Sequence, residues 1–274
     1  MRSKTIVITG ASDGIGAAAA RRLARRGHRL IIVGRSPQKT AAVAAMTGAE
    51  PLVADFARLD DVRRLADDLL RLCPTIDVLA NNAGLLSARA RVVTVDGHEL
   101  TNQVNYLAPY LLDQLLLDRL VTSHATVIAT SSVGHWMGHI DLDDLDHERS
   151  YQGLLAYCDS KLTLLAHTRE LQRRWGREGL VAVAFHPGIV SSNFSAGSGT
   201  LIERGFHSPL RALLPTTPAR AADTLCFLAE AEPGVDFTPG GYVVRRRPAD
   251  MRACVRDPYL GQALWDRTRH LLAA

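Results

Sequence analysis

Tyr157 and Lys161 stand four residues apart, a spacing that on a helix sends both side chains out of one face, where a phenol and an ammonium can converge. A free phenol titrates near pH ~10, too high for acid–base work at neutral pH, and an adjacent positive charge favours the phenolate and brings that value down. The lysine departs from the habit of the chain: of 32 basic residues, Lys4, Lys39 and Lys161 are the lysines. Arginine, bulkier and forked, would reach its partners differently. Upstream, Thr130-Ser131-Ser132 offers hydroxyls suited to hydrogen-bond an oxygen on which negative charge develops, with helix capping as the competing role for either serine.

A second group of residues suits a phosphate. Thr9-Gly10-Ala11-Ser12-Asp13-Gly14-Ile15-Gly16 follows a β-branched run and precedes a helix read as Ala17 to Arg26, closed by Gly27. Glycines there let the backbone turn sharply and approach a pyrophosphate, while the helix N-terminus supplies donors and positive potential. After the next apolar run comes Val33-Gly34-Arg35-Ser36, without the carboxylate that grips the ribose 2′-hydroxyl of NAD. Gly34 leaves room and the planar fork of Arg35 suits a 2′-phosphate, which puts NADP ahead of NAD.

These residues need a scaffold, and the rest of the chain describes one. Short β-branched runs (Thr5 to Thr9, Arg29 to Val33, Pro51 to Ala54, Val78 to Asn81, Thr126 to Thr130, Val181 to Phe185) alternate with helix-sized segments. Ile6-Val7-Ile8 and Leu30-Ile31-Ile32-Val33 are apolar throughout, as strands covered on both faces must be. The expectation is an α/β fold: a single Rossmann-type doubly wound parallel sheet of about seven strands, with helices on both faces, in one domain over residues 1–274. Ligands of such sheets sit beyond the carboxyl ends of the strands, where the informative residues fall.

The glycine spacing, Asn81-Asn82-Ala83-Gly84, Tyr157-x-x-x-Lys161 and Pro187-Gly188 together resemble the short-chain dehydrogenase/reductase family, in the same order and over most of the chain. The resemblance implies hydride transfer between a nicotinamide and a carbonyl or alcohol, with Tyr157 as acid/base, Lys161 tuning it and holding the ribose, and Ser132 polarising the substrate oxygen. Asn105 matches the asparagine that holds a relay water, with Asn102 as the competing candidate. Gly10, Ser12, Asp13, Gly14, Ile15 and Gly16 would cradle the dinucleotide. Asp55 and Phe56 would meet the adenine, Asn82, Ala83 and Gly84 its ribose, and Pro187, Gly188, Val190 and Ser192 the carboxamide, with Ser191 as the alternative to Ser192 by one step of register. NADP-type members often carry a second basic residue in the glycine loop, where this chain has Asp13. Residues 193–217, with Phe194, Leu201, Ile202 and Phe206, fall where the family has its substrate loop, and dimers or tetramers through the helices of Asn105 and Tyr157 would follow. A long insertion, Val133 to Gln152, and the His186-Pro187-Gly188 ending look like the retinol-dehydrogenase and protochlorophyllide-reductase-like branch.

Composition narrows the remaining classes. A net charge of +4 is mild and its densest basic run, Arg245-Arg246-Arg247, reads as a solvated loop rather than a nucleic-acid or membrane contact. Cys73, Cys158, Cys226 and Cys254 lack metal-site spacing, which fits a reducing cytoplasm, and no leader or membrane span is read. His135 and His139 are i, i+4, yet no third ligand is in view, so a substrate wall or packing is the reading for the insertion and no metal is expected. An NADP-binding sensor without turnover, and an epimerase or dehydratase using the same Tyr-Lys pair, are the alternatives.

Overall fold

The computed structural model describes residues 2–86, 90–188 and 217–273. Its strands, β1 (Thr5–Thr9), β2 (Arg29–Gly34), β3 (Glu50–Val53), β4 (Val78–Asn81), β5 (Thr126–Thr130), β6 (Val181–His186), β7 (Tyr242–Val244) and β8 (Arg247–Ala249), form one sheet in the order β3-β2-β1-β4-β5-β6-β7-β8. All neighbours run parallel except the last pair. The helices are α1 (Gly14–Ala24), α2 (Pro37–Thr47), α3 (Leu59–Leu72), α4 (Leu100–Asn102), which runs through a π-turn (Gln103–Leu107) into α5 (Ala108–Leu115), then α6 (Leu117–Thr122), α7 (Gly153–Trp175), α8 (Pro218–Glu230) and α9 (Pro258–Ala273).

The uniformly apolar strands are buried on both sides, as their sequences require. Val7, Ile31, Leu79, Val127 and Ala182 face a core shared with α3, α5, α7 and α9, while Ile6, Ile8, Ile32, Ile128 and Val183 face one shared with α1, α2 and α8. The doubly wound α/β reading therefore holds, with eight strands rather than about seven. Among the described residues, no helix is long and apolar enough to cross a membrane.

The extra strand explains the arginine run. Arg245 and Arg246 have φ of 51° and 63°, the left-handed pair that a two-residue turn between antiparallel strands needs. Asn-Gly would have announced that turn, and two arginines conceal it. Arg246 holds its place through its guanidinium, 4.8 Å from the Phe227 ring centroid and 3.8 Å from the Asp223 carboxylate. Both edge strands carry a proline, Pro51 and Pro248, where a missing amide removes no ladder bond from the sheet interior. At the other boundary that differs, α1 begins at Gly14 because the Asp13 carboxylate accepts the Gly14 amide at 2.7 Å.

One buried hydroxyl aligns the carboxyl ends of β1 and β4. Thr9 Oγ1 accepts the amides of Asn82 and Ala83, each at 3.0 Å, and donates to the Ala80 carbonyl at 3.2 Å. Asn82 Nδ2 answers by donating to the carbonyls of Thr9 at 2.9 Å and Gly10 at 3.3 Å. The approach is so close that a Cβ on Gly10 would stand 2.7 Å from Ala83 Cα. Replacing Thr9 by valine keeps the shape and strands the Ala83 amide, while the Asn82 amide keeps its 2.9 Å bond to the Ala80 carbonyl, so Thr9→Val should cost about 1–3 kcal/mol. A lowered urea midpoint at unchanged m-value reads this out, and an unchanged midpoint would refute it.

Candidate active site

The site gathers at the ends of β5 and β6 under the first turns of α7. Lys161, 3% exposed, donates from Nζ to the Thr130 carbonyl at 3.1 Å, and its nitrogen lies 5.8 Å from the centroid of the Tyr157 ring. The Tyr157 hydroxyl is hydrogen-bonded to Ser132. Ser132 also receives the Gly134 amide at 3.1 Å, so one hydroxyl both caps the 3-10 turn Val133–Trp136 and meets the phenol. Ser131 is different: its hydroxyl donates to the Lys161 carbonyl at 3.0 Å and fastens α7 to β5. The structure thus gives the two serines separate roles, with Ser132, the one the resemblance assigns to the substrate, meeting the phenol.

Burial dominates the electrostatics of the pair. It pushes the Tyr157 phenol up to about 12, against the pull of the Ser132 hydrogen bond, and it brings the Lys161 ammonium down to about 8. This reverses the expectation that the lysine would lower the phenol. Loss of hydration outweighs the attraction of an amine that is itself desolvated and directed to a backbone carbonyl.

Asn105 lies in the π-turn, fully buried, with Oδ1 accepting the Leu85 amide at 2.8 Å and Nδ2 donating to the Leu85 carbonyl and to Ser160 Oγ, each at 3.0 Å. Its carboxamide is engaged by protein on both ends, which fixes the π-turn against α7 and the loop at Leu85. Asn102 sits at the start of the same run and donates to Asp146 at 3.0 Å. Asn81 donates to buried Asp113 at 2.8 Å, and Asp113 in turn meets His167 of α7 at 2.8 Å, so β4, α5 and α7 share one polar tie.

At the nucleotide end, Gly10 and Gly14 hold φ of 65° and 57°, and a Cβ on Gly16 would lie 2.5 Å from the Gly10 carbonyl oxygen. Ile15 is half-buried against the α1 core. The space left by Gly34 serves the protein itself, since a Cβ there would meet Thr40 Oγ1 at 2.3 Å and Ser12 Cβ at 2.6 Å. Arg35 is exposed at the end of β2, followed by Ser36 as the N-cap of α2. Asp13 lies 3.6 Å from Lys39 of α2, so a basic residue that the sequence reading passed over offsets it. Asp55 accepts the Ala57 amide at 3.0 Å in the turn before α3, while the α3 amide of Leu59 is accepted by Asp96 at 2.9 Å. The Phe56 ring is 5% exposed within the core, so it is the backbone of Phe56 that faces the end of β3. Pro187 and Gly188, the latter at φ 91°, leave β6 half-buried. Val190, Ser191, Ser192 and residues 193–216 with Phe194, Leu201, Ile202 and Phe206 lie outside the described residues.

The insertion forms a wall on α7. A Cβ on Gly138 would meet the Cys158 carbonyl oxygen at 2.6 Å, and one on Gly134 would lie 3.5 Å from the Tyr157 ring. Arg252 donates to the carbonyls of Trp136, at 3.3 Å, and Gly138, and Asp146 receives His98 Nδ1 at 2.8 Å and the Glu99 amide at 3.0 Å. Val133, Trp136 and Met137 remain exposed on this wall, as do Leu154 and Leu155 just before Tyr157. His135 and His139 share no helical face, because the 3-10 turn ends at Trp136. Three polar residues to which sequence reasoning gave no place in the site each bury, beside it, an atom without a partner among the described residues: His135, read as wall or packing, His186 and Tyr242. His186 carried a faint signal in its place before Pro187-Gly188, and Tyr242 carried none.

A family profile described as short chain dehydrogenase matches residues 4–200. A Streptomyces sp. (strain C5) protein provisionally named daunorubicin C-13 ketoreductase DnrU is 39% identical over 270 residues, covering 96% of this chain and 90% of that one. Retinol dehydrogenase 13 of Homo sapiens is 34% identical, over 98% of this chain and 84% of its own. A crystal structure of an uncharacterized protein from Mycobacterium Paratuberculosis superposes with a TM-score of 0.79 at 31% identity, covering 99% and 94% of the two chains. With a tyrosine, a serine and a lysine meeting at the end of β5 and a profile match across most of the sheet, this chain belongs to the short-chain dehydrogenase/reductase family, in its retinol-dehydrogenase-like branch, and is an NAD(P)-dependent oxidoreductase.

Proposed function

We propose that the protein is a cytoplasmic, NADPH-preferring oxidoreductase, one domain over residues 1–274, that moves hydride between the nicotinamide and a carbonyl or alcohol on an apolar, bulky small molecule. The observation that carries this reading is the Tyr157 hydroxyl bonded to Ser132 with the buried Lys161 amine beside its ring. Exposed Trp136, Met137, Leu154 and Leu155 around that pair favour an apolar substrate body. The free cysteines Cys73, Cys158, Cys226 and Cys254 accord with a reducing compartment.

The residues present fit a dinucleotide. Gly10 and Gly14 keep side chains out of the turn before α1, whose first amides offer donors to a pyrophosphate. Arg35 offers a bidentate partner for a 2′-phosphate, and Lys39 cancels the adverse charge of Asp13. When bound, the reduced cofactor supplies hydride and leaves a positively charged ring. Ser132 and Tyr157 hydrogen-bond the substrate carbonyl oxygen, and as its π pair becomes an oxygen lone pair, the Tyr157 proton passes to it. Lys161 stabilises the resulting phenolate and shares the path by which a proton returns. Asn105 holds α7 through Ser160 and the loop at Leu85, which positions the turn that would keep the relay water on the path to Lys161.

Removing the phenol hydroxyl tests the core of this scheme. Tyr157→Phe should lower kcat for ketone reduction by about 10²–10⁴ with NADPH binding retained, and undiminished turnover would remove the assignment. The pH profile offers an independent check. Reduction needs protonated Tyr157, which persists to about 12, and a charged Lys161, which is lost above about 8. The alkaline limb of kcat/KM for reduction should therefore fall through about pH 8 and move when Lys161 is replaced, whereas a profile flat to pH 10 would contradict it. For the cofactor, Arg35→Ala should weaken NADPH about 10- to 100-fold with little effect on NADH, and equal losses for both would withdraw the 2′-phosphate contact.

A further inference from the structure

Three polar atoms beside the Tyr157–Ser132 pair are buried without a hydrogen-bond partner among the described residues: His135 Nε2, His186 Nδ1 and Tyr242 Oη. Buried polar groups are nearly always paired, and of the eight buried side-chain atoms without a partner among the described residues these three come from residues around the Tyr157–Ser132 pair, where a ligand group would complete them. They come from three different elements. His135 follows β5 in the 3-10 turn, and its ring lies 4.9 Å from that of Tyr242 at 77°. Tyr242 opens β7 opposite Ala184, and His186 lies two residues beyond Ala184 on β6, so the imidazole and the phenol share the α7 face of the sheet. Tyr242 and Tyr157 influence each other electrostatically, as do His186 and His135.

The chemistry of the trio is specific. His135 Nδ1 lies 2.7 Å from the Ser132 carbonyl and must donate to it, which leaves Nε2 of a neutral ring as a bare acceptor. Burial holds His135 below its ordinary value and brings His186 down to about 4, each aided by a nearby arginine, Arg252 and Arg245 respectively, so both rings are uncharged near neutral pH. Neutral imidazoles give an anion no charge to pair with. A hydroxyl suits them: it donates its one proton to His135 Nε2 and accepts on its two lone pairs from the phenol of Tyr242 and from His186 Nδ1 as the Nδ1–H tautomer.

We propose that His135, His186 and Tyr242 form a hydroxyl-binding subsite next to Ser132 and Tyr157, and that the preferred substrates are hydroxylated carbonyl compounds whose second oxygen enters it while the apolar body rests on Trp136 and Met137. This rests on the oxidoreductase reading and adds a substrate class to it. A site built to hydrogen-bond a hydroxyl discriminates against the analogue without one, because its own buried groups are then left unpaired.

The test uses matched pairs of cyclic and aryl ketones that differ by one hydroxyl at successive positions, with the methyl ether as a third member, and follows NADPH oxidation by the full chain. For at least one position the hydroxyketone should exceed the parent ketone in kcat/KM by about 10-fold or more, with the ether no better than the parent. In Tyr242→Phe, and separately in His186→Gln, that ratio should fall toward one, with folding checked by thermal unfolding and NADPH titration. A wild-type ratio near one at every position, as a resident water satisfying the three atoms would give, overturns the subsite, and so does a ratio that survives both substitutions. Absence of NADPH oxidation with every ketone would instead defeat the oxidoreductase reading itself, so the two failures are told apart.

Discussion

Lys161 keeps its ammonium 3.1 Å from the Thr130 carbonyl in a position almost closed to water, and much of the molecule is arranged around that one bond. Burying a charge costs several kcal/mol unless it finds a partner, and the end of a parallel strand is a place where a backbone carbonyl is left over. The bond is doubled in the opposite sense by Ser131, whose hydroxyl donates to the Lys161 carbonyl at 3.0 Å. Together they bolt α7 to the tip of β5. Tyr157, one helical turn earlier, then has no freedom but to stand over Ser132.

The desolvation that makes this anchoring costly also defines the chemistry. In water an ammonium is the weaker acid of the pair by a small margin, whereas here the amine, near about 8, gives up its proton well before the phenol, near about 12. Neither group is charged beyond what its partner bonds support. In so dry a setting a positive charge entering the crevice acts on the phenol far more strongly than it would through solvent. Burial thus raises the resting phenol and at the same time makes it responsive, and the Ser132 hydrogen bond points its hydroxyl at the place where a substrate oxygen would sit.

What could be read from the sequence was what local chemistry dictates. Two-sided burial demands apolar runs, so β1, β2, β4, β5 and β6 were legible nearly to the residue, and the glycines before α1 announced a turn that side chains would block. The period of a helix placed Tyr157 and Lys161 together without knowledge of any neighbour. Features decided by a distant partner left no such mark. The Arg245-Arg246 turn depends on Asp223 and Phe227, the cap of α3 comes from Asp96 in a later loop, and the carboxamide of Asn105 is consumed by Leu85 and Ser160. The direction of the Tyr157 shift was hidden for the same reason, since proximity of a lysine is visible in a spacing and loss of water is not.

The insertion after Ser132 shows how a wall built from loop and turn can be held to the accuracy that a reacting centre requires. Gly138 brings it against α7 at a distance that admits no Cβ, 2.6 Å from the Cys158 carbonyl oxygen, so the wall is positioned by the same helix that carries Tyr157 and Lys161. Arg252 from the C-terminal part clamps the outer side of the turn, and Asp146 ties the far end to His98, Glu99 and Asn102, at the start of the run that leads to Asn105. Wall, acid/base helix and asparagine turn are therefore one mechanical unit, and an error in any of them is felt by the others. That coupling gives half-buried Asp146 and buried His98 a mechanical part: their hydrogen bond carries the position of one side of the crevice to the other, which packing of apolar side chains, tolerant of small slips, would do less exactingly.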